Sequence, residues 1–157
     1  MITENNLRLD KKIIVITGAS GYIGKCISKS ISMLGADLIL VDKDKKKLSS
    51  LNLDIQKYNP TNIKIIAADL TKSKDILKIT NYIKNNKLII DGLVNAVGMV
   101  GTNKIKGWNT EFKNQSQDAW NQAIDNNLTS ILFFIQKIET HMKNSIDPSI
   151  VNISSIY

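Results

Sequence analysis

The sequence predicts an α/β fold, in which a doubly wound parallel sheet of five strands in the order 3-2-1-4-5 lies between layers of helices. Short runs of Ile and Val without polar alternation recur along the chain, as in strands that are buried on both faces. Longer stretches with apolar residues at helical spacing separate these runs, which favours right-handed crossovers between parallel strands. Glycines, acids and amides follow the runs, at the sheet edge where such folds bind ligands.

The elements follow one another regularly, and 157 residues are enough for one domain, residues 1–157. The five strands are expected at residues 11–17, 38–41, 63–68, 88–94 and 150–153. The four helices are expected at residues 22–34, 44–58, around 76–83 and at 116–143. Gly35 and Asn59-Pro60 end the first two helices, and Ser116 is expected to cap the fourth. An apolar stripe of that fourth helix contains Leu128, Ile131, Ile135, Ile138 and Met142.

Composition excludes several classes of function. The net charge of +7 is spread over many lysines, and Arg8 is the single arginine, so we expect no nucleic-acid partner. No apolar run approaches the roughly 18 residues of a membrane-spanning helix, and the N-terminus lacks the pattern of a secretory signal. We therefore expect a cytoplasmic protein without a membrane contact. One cysteine and one histidine exclude a Cys-based zinc site and a His cluster, so no metal is expected.

The first strand, turn and helix carry the strongest functional pattern. Gly18, Gly21 and Gly24 allow a tight turn, a close approach of backbone to a pyrophosphate, and close packing of helix on strand. The N-terminus of the following helix favours a phosphate. Asp42 ends the second strand 18 residues after Gly24, close to the offset of roughly 20 at which a carboxylate binds a ribose 2′-hydroxyl. A carboxylate there repels a 2′-phosphate, which favours NAD over NADP, and the neighbouring Lys43 weakens this preference without reversing it.

With these residues the sequence resembles the short-chain dehydrogenase/reductase family, whose cofactor domain is a Rossmann fold. The resembling segments, in chain order, are Thr17-Gly18-Ala19-Ser20-Gly21-Tyr22-Ile23-Gly24, Asp42, Asp69-Leu70, Asn95-Ala96-Val97-Gly98, Asn126-Asn127-Leu128 and Ile150-Val151-Asn152-Ile153-Ser154-Ser155. They span almost the whole chain in the order found in the family, and their combination is far more specific than any single segment.

The resemblance implies a role for each matched residue. The implied cofactor-binding residues are Gly18, Ser20, Gly21, Tyr22, Ile23, Gly24, Asp42, Asp69, Leu70, Asn95, Ala96 and Gly98. Asp69 and Leu70 would flank the adenine, and the segment 95–98 would stabilise the fourth strand beside the cofactor. Asn127 and Ser155 match two members of the catalytic tetrad, the serine being the one that hydrogen-bonds the substrate carbonyl or hydroxyl.

The catalytic set is incomplete in the sequence. The family needs a Tyr-x-x-x-Lys pair about a dozen residues after the serine, whereas Tyr157 lies only two residues after Ser155. The sequence therefore resembles roughly the first three-fifths of a family member, which has about 250 residues. The spacing Gly-x-x-Gly-x-x-Gly is similar to the extended branch of the family, the nucleotide-sugar epimerases and dehydratases.

The resemblance implies a dehydrogenase or reductase that interconverts an alcohol and a carbonyl, and Asp42 favours NAD as its cofactor. A sugar or surface-polysaccharide precursor is among the expected substrates. A homo-oligomer, either a dimer or a tetramer, is expected from the resemblance. Two alternatives stay open. One is an epimerase or dehydratase of the extended branch, and the other is a non-catalytic protein that binds a dinucleotide.

Overall fold

A computed structural model describes residues 7–99 and 105–154, which form five parallel strands in the spatial order β3-β2-β1-β4-β5. The strands are β1 (Ile13–Thr17), β2 (Asp37–Asp42), β3 (Ile63–Ala67), β4 (Gly92–Asn95) and β5 (Ser149–Asn152). The helices are α1 (Tyr22–Met33), α2 (Lys45–Tyr58), α3 (Ser73–Asn85), α4 (Gln117–Ile124) and α5 (Ser130–Met142). The predicted fold class and strand order are confirmed.

Two apolar layers pack on the two faces of this sheet. On one face Val15 and Leu93 pack with side chains of α3 and α5, among them Ile79 and Phe134. On the other face Ile16 and Leu40 pack with α2, whose buried residues include Leu48 and Leu51. Because β1, β2 and β4 have apolar residues on both faces, their sequences lack polar alternation.

The predicted helix cap at Ser116 and the predicted helix end at Gly35 are confirmed. Ser116 caps α4, since its Oγ accepts a hydrogen bond from the backbone N–H of Ala119 (3.2 Å). Asp44 caps α2 in the same way, through the N–H of Lys47 (3.1 Å). Gly35 follows α1 with a φ of +96°, a backbone conformation that glycine adopts without strain.

The predicted long helix is interrupted by one π-helical turn, Asp125–Thr129, between α4 and α5. This corrects the predicted stripe at Leu128, which is 62% exposed. The buried face of α5 instead runs through Ser130, Phe134, Ile138 and Met142. A π turn holds more residues than an α turn, so a stripe extrapolated at α-helical spacing does not continue through it.

The fourth strand is shorter than predicted and begins at Gly92. Ile90 is fully buried, but its N–H donates to the carbonyl of His141 in α5 (3.0 Å). The backbone N–H of Ile90 is therefore hydrogen-bonded to a helix rather than to a neighbouring strand. An apolar sequence pattern alone does not distinguish these two cases.

Asp91 holds together the start of the sheet, at the edge opposite the strands' carboxyl ends. Its carboxylate accepts hydrogen bonds from the N–H of Ile13 (2.9 Å), the ammonium of Lys12 (3.0 Å) and the hydroxyl of Ser145 (2.7 Å). Burial opposes ionisation, but these three donors outweigh it and hold the pKa of Asp91 below its usual value of 3.8. The ionised carboxylate thereby stabilises the junction of β1, β4 and the loop before β5.

We expect Asp91→Asn to lower the free energy of unfolding at pH 7 by about 1–3 kcal/mol, because a charged acceptor of three hydrogen bonds is lost. The folded-state pKa is lowered, so the contribution of Asp91 is complete above the unfolded pKa near 4 and is lost as the pH falls through the folded value. Urea denaturation at pH 7 and pH 3 should show a difference from wild type that shrinks at pH 3.

The matched control is Asp54→Asn, which removes a half-exposed ion pair with Lys29 (3.3 Å). It should change stability by less than about 1 kcal/mol. Equal effects of the two substitutions, or a pH-independent effect of Asp91→Asn, would contradict this account.

Candidate functional site

A cavity of about 460 Å³ opens at the carboxyl ends of β1, β2, β3 and β4. Its walls come from the loops that follow these strands, from the π turn and from the ends of the helices beside it. The lining residues are Gly18, Gly21, Val41, Asp42, Lys43, Ala68, Asp69, Leu70, Thr71, Ala96, Val97, Gly98, Met99, Ile105, Gln122, Asp125, Asn126 and Ser130. Its volume is within the range of small-molecule and cofactor sites.

The turn after β1 leaves no room for a side chain at Gly18 or Gly24. A Cβ on Gly24 would lie 2.1 Å from the carbonyl oxygen of Gly18, and a Cβ on Gly18 would lie 2.6 Å from the carbonyl oxygen of Ala96. Gly18 also has a φ of +65°, which an L residue rarely adopts. Glycine at these positions lets α1 start directly above the end of β1 and beside the loop after β4.

The start of α1 faces the cavity without a capping side chain. No side chain of the described residues hydrogen-bonds to this helix end, and its first turn contains no acid. The first N–H groups of a helix have no partner within the helix, and they carry the positive end of its dipole. The two lining glycines, Gly18 and Gly21, bring this end close to any bound group, so the arrangement fits a phosphate or pyrophosphate.

Asp42 lies at the end of β2, and backbone groups orient its carboxylate. Oδ2 accepts from the N–H of Ser20 (3.1 Å) and Oδ1 from the N–H of Asp44 (3.2 Å). The same side chain therefore ties the glycine turn to β2 and lines the cavity. Lys43, the next residue in the chain, also lines the cavity wall and contributes a positive charge to the site.

Asp69 and Leu70 line the cavity at the end of β3. Asp69 Oδ1 accepts from the hydroxyl (2.7 Å) and the N–H (3.1 Å) of Thr71, and its Oδ2 lies 3.5 Å from the ammonium of Lys72. Burial alone would raise the pKa of Asp69, but Thr71 and Lys72 outweigh it and lower the pKa. The carboxylate is thus ionised at neutral pH.

Asn127 lies in the π turn and binds the backbone of Met99 at two points. Its Oδ1 accepts from the Met99 N–H (2.5 Å), and its Nδ2 donates to the Met99 carbonyl (3.3 Å). Carbonyls around the π turn are bound by nearby side chains: Asn126 donates to Gln122 O (2.7 Å) and Ser130 to Asn126 O (3.1 Å). The clamp fixes the loop 96–99, which forms one wall of the cavity.

The structure brings most of the sequence-predicted cofactor residues together. Those in the cavity wall are Gly18, Gly21, Asp42, Asp69, Leu70, Ala96 and Gly98. Those next to it in the chain but outside the wall are Ser20, Tyr22, Ile23, Gly24 and Asn95. Tyr22 is 98% exposed and begins α1, so its ring does not pack over the glycine turn. Ser155 lies outside the described residues.

Sequence reasoning missed one wall of the cavity. Gln122, Asn126 and Ser130 line it from the helices around the π turn, together with Asp125. The sequence held no distinct signal for this wall, because polar residues such as Gln117, Asn121 and Thr129 also occur on the other faces of the same helical stretch. In the described part of the chain no group of three or more His, Cys, Asp or Glu could hold a metal ion, and none of its helices is long and apolar enough to cross a bilayer.

Comparisons with known proteins agree with this geometry. The short chain dehydrogenase family matches residues 12–157. An uncharacterized oxidoreductase of Staphylococcus epidermidis is 28% identical over 149 residues, which cover 95% of this chain and 60% of that protein. Human 17-beta-hydroxysteroid dehydrogenase type 3 is 34% identical over 157 residues, covering 99% of this chain and 48% of that protein.

Among solved structures, a short chain dehydrogenase from Shigella flexneri complexed with NADP superimposes with a TM-score of 0.83 at 22% identity. The match covers 95% of this chain and 61% of that one. The family match over nearly all of the chain shows that this protein belongs to the short-chain dehydrogenase/reductase family of oxidoreductases. The chain spans about 60% of the length of the staphylococcal relative.

The glycine turn yields a direct test of the site's construction. We expect Gly24→Ala to lower the free energy of unfolding by about 1–3 kcal/mol, because the new Cβ would collide with the backbone at Gly18. Gly98→Ala is the matched control, since its Cβ would meet its nearest neighbour at 3.8 Å and should change stability by less than about 0.5 kcal/mol. Urea denaturation of the two variants measures both values, and a Gly24→Ala protein as stable as wild type would contradict the packing described.

Proposed function

We propose that this chain is a dinucleotide-binding domain of an NAD-dependent dehydrogenase or reductase that interconverts an alcohol and a carbonyl. One observation carries the proposal: the uncapped start of α1, the glycine turn, Asp42 and Asp69 all open on a single cavity. The family match and the oxidoreductase relatives support the reaction class.

Each part of the cavity has a place in this proposal. The pyrophosphate would lie against Gly18, Gly21 and the first N–H groups of α1, with Ser20, Tyr22, Ile23 and Gly24 shaping that turn. The adenosine ribose would hydrogen-bond to Asp42, and the adenine would lie against Asp69 and Leu70. Asn95, Ala96 and Gly98 would form the wall beside the nicotinamide half.

When bound, NADH would supply a hydride to the carbonyl carbon of the substrate, and a proton would be added to the substrate oxygen. Asn127 holds the loop 96–99 through the backbone of Met99, and Ser155 is proposed to donate a hydrogen bond to the substrate oxygen. Proton transfer in the family belongs to a Tyr-x-x-x-Lys pair. The contacts of the described residues support cofactor binding, and the proposal is tested on that activity.

The sugar or surface-polysaccharide precursor expected from the sequence has no support among the described contacts, so the proposal names only an alcohol or a carbonyl. A cytoplasmic location remains part of the proposal.

NAD is preferred to NADP in this proposal because of the charge of Asp42. Its carboxylate would accept from a ribose 2′-hydroxyl and repel a 2′-phosphate. Lys43 in the adjoining wall reduces this repulsion, and the Shigella flexneri relative complexed with NADP shows that the same fold accepts the phosphorylated cofactor.

We expect NADH to bind at least about tenfold more tightly than NADPH, a difference of roughly 1.4 kcal/mol. Asp42→Asn should lower the ratio of NADH affinity to NADPH affinity, because it removes the repulsion of the 2′-phosphate. Lys43→Met should raise this ratio, because it removes the cation. Fluorescence titration with each reduced cofactor measures all three ratios. Absence of binding by both cofactors would contradict the proposed function, and equal affinities in the wild type would contradict the preference for NAD alone.

A homo-oligomer is also proposed, from an apolar stripe on the outer face of α4 and α5. The stripe consists of large side chains that recur every four residues and remain exposed: Trp120, Ile124, Leu128 and Leu132, with Phe133 beside them. It extends from α4 through the π turn into the first turn of α5. Exposed apolar patches of this extent mark interaction sites, and a second copy can pair such a stripe with itself around a two-fold axis.

We expect the wild-type protein to sediment as a dimer or a tetramer and Leu128→Lys to sediment as a smaller species, because a charge in a helix-to-helix interface is left without water. Analytical ultracentrifugation measures this difference. Tyr58→Lys, at an exposed aromatic residue of α2 outside the stripe, is the control and should leave the oligomer intact. A monomeric wild type, or equal dissociation by both substitutions, would contradict the assignment of this interface.

A further inference from the structure

Three polar side chains form a row across the sheet just beneath the cavity. Thr17 of β1 lies opposite Asn95 of β4, and Asn95 lies opposite Asn152 of β5. The Thr17 hydroxyl donates to Asn95 Oδ1 (3.1 Å), and Asn95 Nδ2 donates to Asn152 Oδ1 (2.9 Å). Directly opposed residues of neighbouring strands share a face, so the row runs continuously across three strands.

The row is buried at Thr17 and Asn95 and reaches the surface at Asn152, which is exposed. Thr17 and Asn95 are fully buried, and the next residues on the same face of these strands are Val15, Leu93 and Ile150. A buried amide that loses its partner pays the full desolvation penalty, so Asn95 depends on an acceptor oxygen from β5. Asn152 supplies that oxygen.

The cavity wall begins at the residue that follows Asn95, and backbone hydrogen bonds join the strands at this point. The N–H of Ala96 donates to the carbonyl of Thr17 (3.1 Å), and the N–H of Ile153 donates to the carbonyl of Asn95 (2.9 Å). Loop 96–99 therefore leaves the sheet immediately above the row, from strand ends that the row holds side by side. At its other end the same loop is held by the clamp of Asn127 on Met99.

We propose that Asn152 is a positioning residue for the dinucleotide site. Through its Oδ1 it holds the buried Asn95 amide, and this contact fixes loop 96–99 and the end of β5 relative to each other. Asn152 does not line the cavity and so acts through Asn95. The inference rests on the proposed function for the nature of the ligand, whereas the contact itself is independent of it.

Two substitutions separate the acceptor oxygen from the bulk of the side chain. Asn152→Asp keeps an oxygen for Asn95 Nδ2, whereas Asn152→Leu removes it. Ile150→Ala, on the same strand and face, truncates a partly exposed side chain outside the row and is the control for a general loss of stability. If Asn152→Leu fails to fold, Asn152→Ala makes the same comparison with less bulk.

Two readouts are measured on each variant: hydrogen exchange of the Asn95 side-chain amide by NMR, and NADH affinity by fluorescence titration. In Asn152→Leu we expect faster exchange and a loss of NADH affinity of about tenfold, as for an unpaired buried polar group. Asn152→Asp should retain slow exchange and nearly wild-type affinity, and Ile150→Ala should lower stability while leaving both readouts unchanged.

The inference is overturned if Asn152→Leu binds NADH like the wild type, or if Asn152→Asp loses as much affinity as Asn152→Leu. A wild-type protein that binds no NADH is a failure of the proposed function. In that case the exchange of the Asn95 amide still decides whether Asn152 anchors it: unchanged exchange in Asn152→Leu overturns the anchoring, and accelerated exchange supports it.

Discussion

Backbone crowding around Gly18 is the constraint on which the rest of the structure depends. The start of α1, the end of β1 and the loop after β4 meet there at distances that exclude a Cβ on Gly18 or Gly24. Because α1 starts so close to the sheet, its N-terminal N–H groups face the carboxyl edge of the strands. The carboxylate of Asp42 completes this corner by accepting from the N–H of Ser20, so turn and second strand form one unit.

A second constraint acts on the opposite wall of the cavity, where a helix departs from regular geometry. The π turn Asp125–Thr129 presents Asn127 to the backbone of Met99, and Asn126 and Ser130 bind carbonyls around the turn. Such turns are frequent at functional sites, because they redirect a side chain without ending the helix. Here the π turn fixes the loop 96–99 through the two hydrogen bonds of Asn127 to Met99.

The fold could be predicted from the sequence because β1, β2 and β4 are apolar on both faces, and because glycine turns and capping residues mark the boundaries. The cavity residues Gly18, Asp42 and Asp69 could also be predicted, because each directly follows or ends a strand that the apolar pattern marks. The wall formed by Gln122, Asn126 and Ser130 could not be predicted, since polar residues occur on every face of this helical stretch and the π turn changes the phase of the pattern. The backbone hydrogen bond from Ile90 to His141 could not be predicted either, because a buried Ile has the same apolar pattern whether its N–H binds a helix or a strand.

The uncapped start of α1 couples ligand binding to folding. Without an anion, water must satisfy the first N–H groups of the helix, and no acid in its first turn offsets the dipole. A dinucleotide that binds only the folded chain would add RT ln(1 + [L]/Kd) to the free energy of unfolding, about 2.7 kcal/mol at a concentration one hundred times Kd. The cellular concentration of such a ligand would then set not only the occupancy of the site but also the fraction of chains exposed to proteolysis.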